Sequence, residues 1–181
     1  MNVLMVVAPQ LFRDEEFFEP RAVLEAAGHT VSVASTRVGT CKGVRGGTVE
    51  ATIPLDDVDV QAFAAVVFVG GPGARTLFDD LYAQFVAQEM HRAGKIVAAI
   101  CIAPVILAHA GLLKGKRATV YPSENPALFA AHALVRALGV VVDGDLITAS
   151  GPEHAHAFGQ ELVKALAGHA PGKRLQPAQH H

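Results

Sequence analysis

Three stretches constrain the fold more than anything else in this chain: "NVLMVVA" at 2–8, "AAVVFVGGPGA" at 64–74 and "KIVAAIC" at 95–101. Each carries an apolar run of strand length without polar alternation. A strand with one wetted face would switch character at every second residue. Unbroken runs therefore belong to strands buried on both faces, as in a parallel sheet covered by helices.

The segments between these runs read as helices and further strands. "DEEFFEPRAVLEAAGH" (14–29) has its acids in the first turn, an apolar face of Phe17, Val23, Leu24 and Ala27, and a stop at Gly28. "TLFDDLYAQFVAQEMHRAG" (76–94), "APVILAHAG" (103–111) and "EHAHAFGQELVKALAG" (153–168) read the same way. "TVSVAST" (30–36) and "RATVYP" (117–122) read as strands, and "GVVVDGDLITAS" (139–150) as a hairpin about Asp143-Gly144. "VRGGTVEATIPLDDV" (44–58) reads as an irregular hairpin. The alternation predicts an α/β fold with a mainly parallel sheet and helices on both faces. One domain over 1–168 is the simplest division, with 169–181 expected to be a disordered tail.

Composition removes several functional classes. Charged residues make up 18% and the net charge is −2, so no basic stripe exists for nucleic acid or an anionic membrane. No apolar run reaches ~18 residues, so no membrane-spanning helix is expected. The opening "MNVLMVVAPQLF" lacks a positive region and a cleavage site, so no secretory signal is read and the cytoplasm is the expected compartment. Two cysteines, Cys41 and Cys101, allow one disulfide at most and make no disulfide scaffold. "HAH" at 154–156 splays its rings on a helix, and the pair at 180–181 stands at the end of the chain, so no metal site is expected.

Cys101 has two readings. A cysteine closing an apolar run is often a small hydrophobe. Here, however, it stands where a strand meets a helix, as a nucleophile on a sharp strand-to-helix elbow does. The helix start would aim free N–H groups and the positive end of its dipole at the sulfur, and would depress its pKa. "GGPGA" (70–74) fits neither a phosphate loop nor a dinucleotide fingerprint, and a tight βα connection is the more frequent explanation of a lone cluster of this kind. The amides of Gly71 and Ile102 could together form an oxyanion pocket beside the sulfur. Glu16, next to Phe17 and Phe18 after the first strand, could face the same crevice. A half-buried acid there would stay protonated and donate to sulfur. Glu15 and Glu19 read as surface acids favoured by the helix dipole, and Cys41, in "GTCKG", as a loop thiol without a role.

Together these pieces resemble the ThiJ/PfpI family, which holds PfpI-type intracellular cysteine proteases and the Parkinson-associated deglycase. The likeness spans about residues 2–168 and rests on "EFFEP", "VFVGGPGA", "AAICIAP", "GLLKGKRATVYP" and "VVVDGDLITASGP". It implies a flavodoxin-like three-layer sandwich, Cys101 as the reactive cysteine, Glu16 as the acid bonded to it, and Gly71 and Ile102 as the oxyanion amides. It further implies a small-molecule substrate, a homodimer or larger homo-oligomer, and no cofactor. Gly70, Tyr121 and His154 are candidate neighbours of the site. One departure stands out: protease-like branches place histidine after the cysteine, and this chain has Ile102. An isoleucine moves no proton, so a Cys-His couple at this position is excluded. The resulting expectation is a cysteine-dependent hydrolase or lyase of small carbonyl or amide compounds, glyoxalase- or deglycase-like. The alternatives are a redox-sensing or stress-protective protein that uses an oxidisable Cys101, and a scaffold that keeps the shape without the activity.

Overall fold

The computed structural model describes residues 1–169. The strands are β1 (Asn2–Val6), β2 (Gln10–Phe12), β3 (Thr30–Ser35), β4 (Gly39–Gly43), β5 (Thr48–Ala51), β6 (Ile53–Pro54), β7 (Ala65–Phe68), β8 (Ile96–Ile100), β9 (Arg117–Ala118), β10 (Leu134–Val135), β11 (Val140–Asp143) and β12 (Leu146–Ala149). The helices are α1 (Asp14–Ala26), α2 (Leu81–Arg92), α3 (Pro104–His109), α4 (Asn125–Ala130) and α5 (Ala155–Gly168). Seven strands form one sheet in the order β11-β12-β8-β7-β1-β3-β6. All its pairings are parallel except β11–β12, which is the hairpin expected at Asp143-Gly144. This is the flavodoxin-like α/β architecture.

The two cores follow from the period-two geometry of strands. Leu4, Val6, Val66, Phe68, Val97 and Ala99 face α2 and α3, with Val86, Met90 and Ile106 completing that layer. Their neighbours Val3, Met5, Ala65, Val67, Ile96 and Ala98 face the opposite side, where Phe17 and Leu24 of α1 meet Phe158 and Leu162 of α5. Both faces are thus covered, which is why the runs lack alternation.

Several elements differ from the sequence expectation. The helix expected over 76–94 starts at Leu81, where Asp80 caps it by accepting the Ala83 amide at 2.9 Å, while residues 72–77 form a tighter 3-10 segment. The strand expected over 117–122 shrinks to two residues paired with β10. Beyond Ala118 the backbone leaves the ladder, because the Thr119 amide donates to Thr148 Oγ1 at 3.0 Å and its hydroxyl to the Leu138 carbonyl at 2.8 Å. The irregular hairpin is the antiparallel pair β4–β5, beginning before residue 44. Cys41 lies inside β4 and not in a loop, opposite Val49 in the core. Of the expected tail, residues 170–181, including the histidine pair at 180–181, lie outside the described residues.

Candidate active site

Beside β1 the chain connects to β3 on one side and to β7 on the other. Such a switch opens a crevice at the carboxyl ends of the strands, the usual place for ligands in this architecture. Loops leaving β1, β7 and β8 converge there and deliver Glu16, Gly71 and Cys101 respectively.

Cys101 has φ of +63°, one of three non-glycine residues with positive φ among the described residues. That conformation is sterically costly for a side chain and persists where the surroundings fix it. Its N–H donates to the Ala149 carbonyl at 2.8 Å and its carbonyl accepts from the Tyr121 amide at 2.8 Å, so both flanks are held. The turn carries the sulfur out of the sheet into a cavity of about 420 Å³, which Cys101, Glu16, Gly71, Ile102 and Tyr121 all help to line. The residue remains 8% exposed.

Glu16 is delivered by α1. The Arg13 amide donates to the Gly70 carbonyl at 3.0 Å and fixes the helix start against the β7 loop. The next three residues are acids, each handled differently. Asp14 accepts from the amides of Arg45 at 2.7 Å and Gly47 at 2.8 Å, binding the β4–β5 turn. Glu15 pairs with Arg13 and Arg45. Glu16 turns inward and is fully buried. Neither of its carboxyl oxygens finds a donor in hydrogen-bond geometry among the described residues. The Cys101 side chain and the Gly70 amide are still near enough to hold its pKa down against the larger upward push of burial.

Gly70 is glycine for want of space. A Cβ there would lie 2.3 Å from Glu16 Oε2 and 2.7 Å from Cys101 Cβ. Gly71 has φ of +99°, and a Cβ would lie 2.4 Å from the Arg13 nitrogen. Its amide and that of Ile102 draw the pKa of the Cys101 thiol down.

The electrostatics correct one expectation. Burial pushes Glu16 up to about 7. Burial and the neighbouring carboxylate push the Cys101 thiol up to about 12, and the two amides draw it down without outweighing them. The thiol was expected to be depressed. The helix start that should have done so is six residues long and opens only at Pro104. Adjacent acids titrate as a pair. Between about 7 and about 12 this pair holds one proton and one negative charge. The nucleophilic form is the one in which Glu16 keeps the proton and sulfur carries the charge.

The structure places His154 outside this cavity. It lines a neighbouring one of about 430 Å³ with Ser150 and Gly139, and its ring occupies the space a Gly139 side chain would need. His109 contacts the Phe78 carbonyl at 3.0 Å and Asp79 at 2.9 Å, at the far end of α3. Four polar lining residues were not foreseen: Arg13, Arg75, Ser123 and Glu153. For Arg13 a signal existed, three residues ahead of Glu16 at a helix start. The others arrive on short 3-10 segments whose placement no local pattern records. Both cysteines are free, and no group of three histidine, cysteine or acid side chains gathers as a metal site among the described residues. No described helix is long and apolar enough to cross a membrane.

Comparison with known proteins agrees with this fold. The sequence profile of the DJ-1/PfpI family matches residues 1–165. An uncharacterised protein of Methanocaldococcus jannaschii is 45% identical over 168 residues, covering 91% of this chain and 82% of its own. A protein of Pyrococcus abyssi named as a deglycase is 36% identical, covering 92% and 99%. The crystal structure of a ThiJ/PfpI domain protein from Brachyspira murdochii superimposes with a TM-score of 0.92 at 36% identity, covering 93% of this chain and 98% of that one. With profile, relatives and superposition in accord along nearly the whole length, this chain belongs to the DJ-1/PfpI family.

Proposed function

We propose that the protein is a cysteine-dependent hydrolase or lyase acting on small carbonyl or amide compounds. The observation that carries the reading is the positive φ of Cys101, which holds its sulfur in a cavity beside a buried acid without a hydrogen-bond partner. The sulfur adds to the carbonyl carbon, forming a C–S bond, and the π electrons move to oxygen. The amides of Gly71 and Ile102 receive the developing oxyanion, and Glu16 supplies the proton. Relatives named as deglycases support this class. Ile102 offers no proton, so Glu16 is the acid of the cycle and amide hydrolysis is the least favoured branch. A homodimer in the cytoplasm is part of the same proposal, and sedimentation measures the assembly.

The test is consumption of methylglyoxal by purified protein and by Cys101→Ala. Loss of at least about a hundredfold in the variant supports the reading, and equal rates remove it. A redox role is the second reading, supported by a Bacillus subtilis relative named as a general stress protein. In it, two equivalents of peroxide convert the thiolate to sulfinate and are reduced to water, with protonated Glu16 donating to the new oxygen. Mild peroxide followed by intact mass separates the two: gain of two oxygens at Cys101 without turnover favours the redox role.

A further inference from the structure

We propose that the Cys101 cavity takes a carbonyl compound that also bears a carboxylate, with the terminal nitrogens of Arg13 holding the carboxylate and the carbonyl carbon facing the sulfur. This inference rests on the reading of Cys101 as nucleophile.

Which guanidinium edges at the cavity are already taken decides what a ligand can use. Arg13 Nε donates to Glu15 Oε2 at 2.5 Å, and the other Glu15 oxygen forms an ion pair with Arg45 Nε at 2.5 Å. One carboxylate is therefore shared by two guanidiniums, and a net positive charge remains. The terminal nitrogens of Arg13 donate to no side chain or carbonyl among the described residues, and Arg13 lines the cavity. Its charge interacts with both Glu16 and Cys101. Arg75 also lines the cavity, but Glu124 neutralises it at 2.6 Å, through a side chain only 13% exposed.

On the negative side stand the single charge shared by Glu16 and Cys101, and Glu153. The Glu153 side chain is 66% exposed, 3.5 Å from His154 Nε2, where water screens it. The terminal nitrogens of Arg13 are thus a guanidinium edge at the cavity on which no carboxylate is seated among the described residues, open to a ligand. A guanidinium edge matches a carboxylate with two parallel N–H bonds, whereas an uncharged dicarbonyl would leave that edge unused. At about 420 Å³ the cavity admits an acid of several carbons.

Iodoacetate and iodoacetamide differ in the one group at issue. Both react by the same displacement: the sulfur lone pair forms the S–C bond, the C–I bond breaks and iodide leaves. The ratio of their rates at Cys101 is expected to exceed that of the same thiol in unfolded protein. Arg13→Gln should lower it about fivefold, the effect of one partly screened charge near contact. Arg13→Lys, which keeps the charge but not the fork, should fall between, and Glu153→Gln should raise the ratio. Equal ratios in wild type and Arg13→Gln overturn the inference.

A second measurement needs no reactivity. In an NMR titration of Cys101→Ser, oxamate should bind at least about fivefold more tightly than uncharged oxamide, and Arg13→Gln should erase the difference. An Arg13-dependent preference beside an inert Cys101 would sink the nucleophile reading and leave this site standing. A reactive Cys101 without that preference would do the reverse.

Discussion

The two cysteines of this chain are both free and both buried, yet they occupy opposite chemical situations. Cys41 is 1% exposed and Cys101 8%, a difference too small to separate a filler from a reagent. What separates them is the backbone and one neighbour. Cys41 sits in regular strand β4, its sulfur 3.8 Å from the Gly39 carbonyl and its side chain among Val49 and other apolar groups. Cys101 sits one residue past the end of its strand, in a left-handed conformation, with two amides and an acid around the sulfur. Burial alone makes a thiol inert. Burial together with a proton partner and a cavity makes a thiol whose charge can be called up on contact with an electrophile.

The largest test of that contrast is selectivity. In native protein, iodoacetamide should label Cys101 at least about a thousandfold faster than Cys41, because reaching Cys41 requires opening of the core. Peptide mapping over time reads both rates. Comparable labelling would mean that the elbow confers nothing.

Next in size is the dependence of stability on pH. Glu16 has an unfolded value of 4.5 and a folded value of about 7, so the native state binds the extra proton in that window. The associated stability is complete below 4.5 and is lost as pH rises through about 7, amounting to about 3 kcal/mol. Urea unfolding at pH 5 and pH 8 should show that loss in wild type, and Glu16→Gln should remove it. Glu15, held below its ordinary value mainly by Arg13 against the cost of burial, acts in the opposite sense, but equally in both proteins.

Gly71→Ala comes third. Strain at φ of +99° and the approach to the Arg13 nitrogen should cost about 2 kcal/mol of stability. Turnover should fall further than that loss accounts for, since the same amide faces the sulfur. Smallest is Cys41→Ala, expected to cost about 1 kcal/mol by calorimetry and to leave Cys101 alkylation unchanged. A change there would couple the two thiols, contrary to the contrast drawn above.

How far the sequence could be read follows the same division between local and distant causes. The runs at 2–8, 64–69 and 95–101 announce doubly covered strands because burial on both faces writes itself residue by residue. That Cys101 and Glu16 would meet in one crevice was legible because each stands at the junction of two such elements. The start of α2 was missed because Phe78 belongs to the apolar pattern whether or not the chain is helical, and the Asp80 cap decides. The strand after Lys116 was cut short by a side chain 29 residues away, Thr148. The sign of the thiol shift was misread for a related reason. A helix dipole can be inferred from neighbours in sequence, whereas the weight of burial depends on everything packed around the sulfur. Arg75, Ser123 and Glu153 reach the cavity on short 3-10 segments whose placement depends on distant packing.

Asp14 and Glu16 occupy the same turn of α1, and Asp14 is clasped by the amides of Arg45 and Gly47. The tip of the β4–β5 hairpin is therefore an outrigger for the Cys101 cavity, and its span is fixed by what it must reach. Insertions there would tilt the acid away from its thiol.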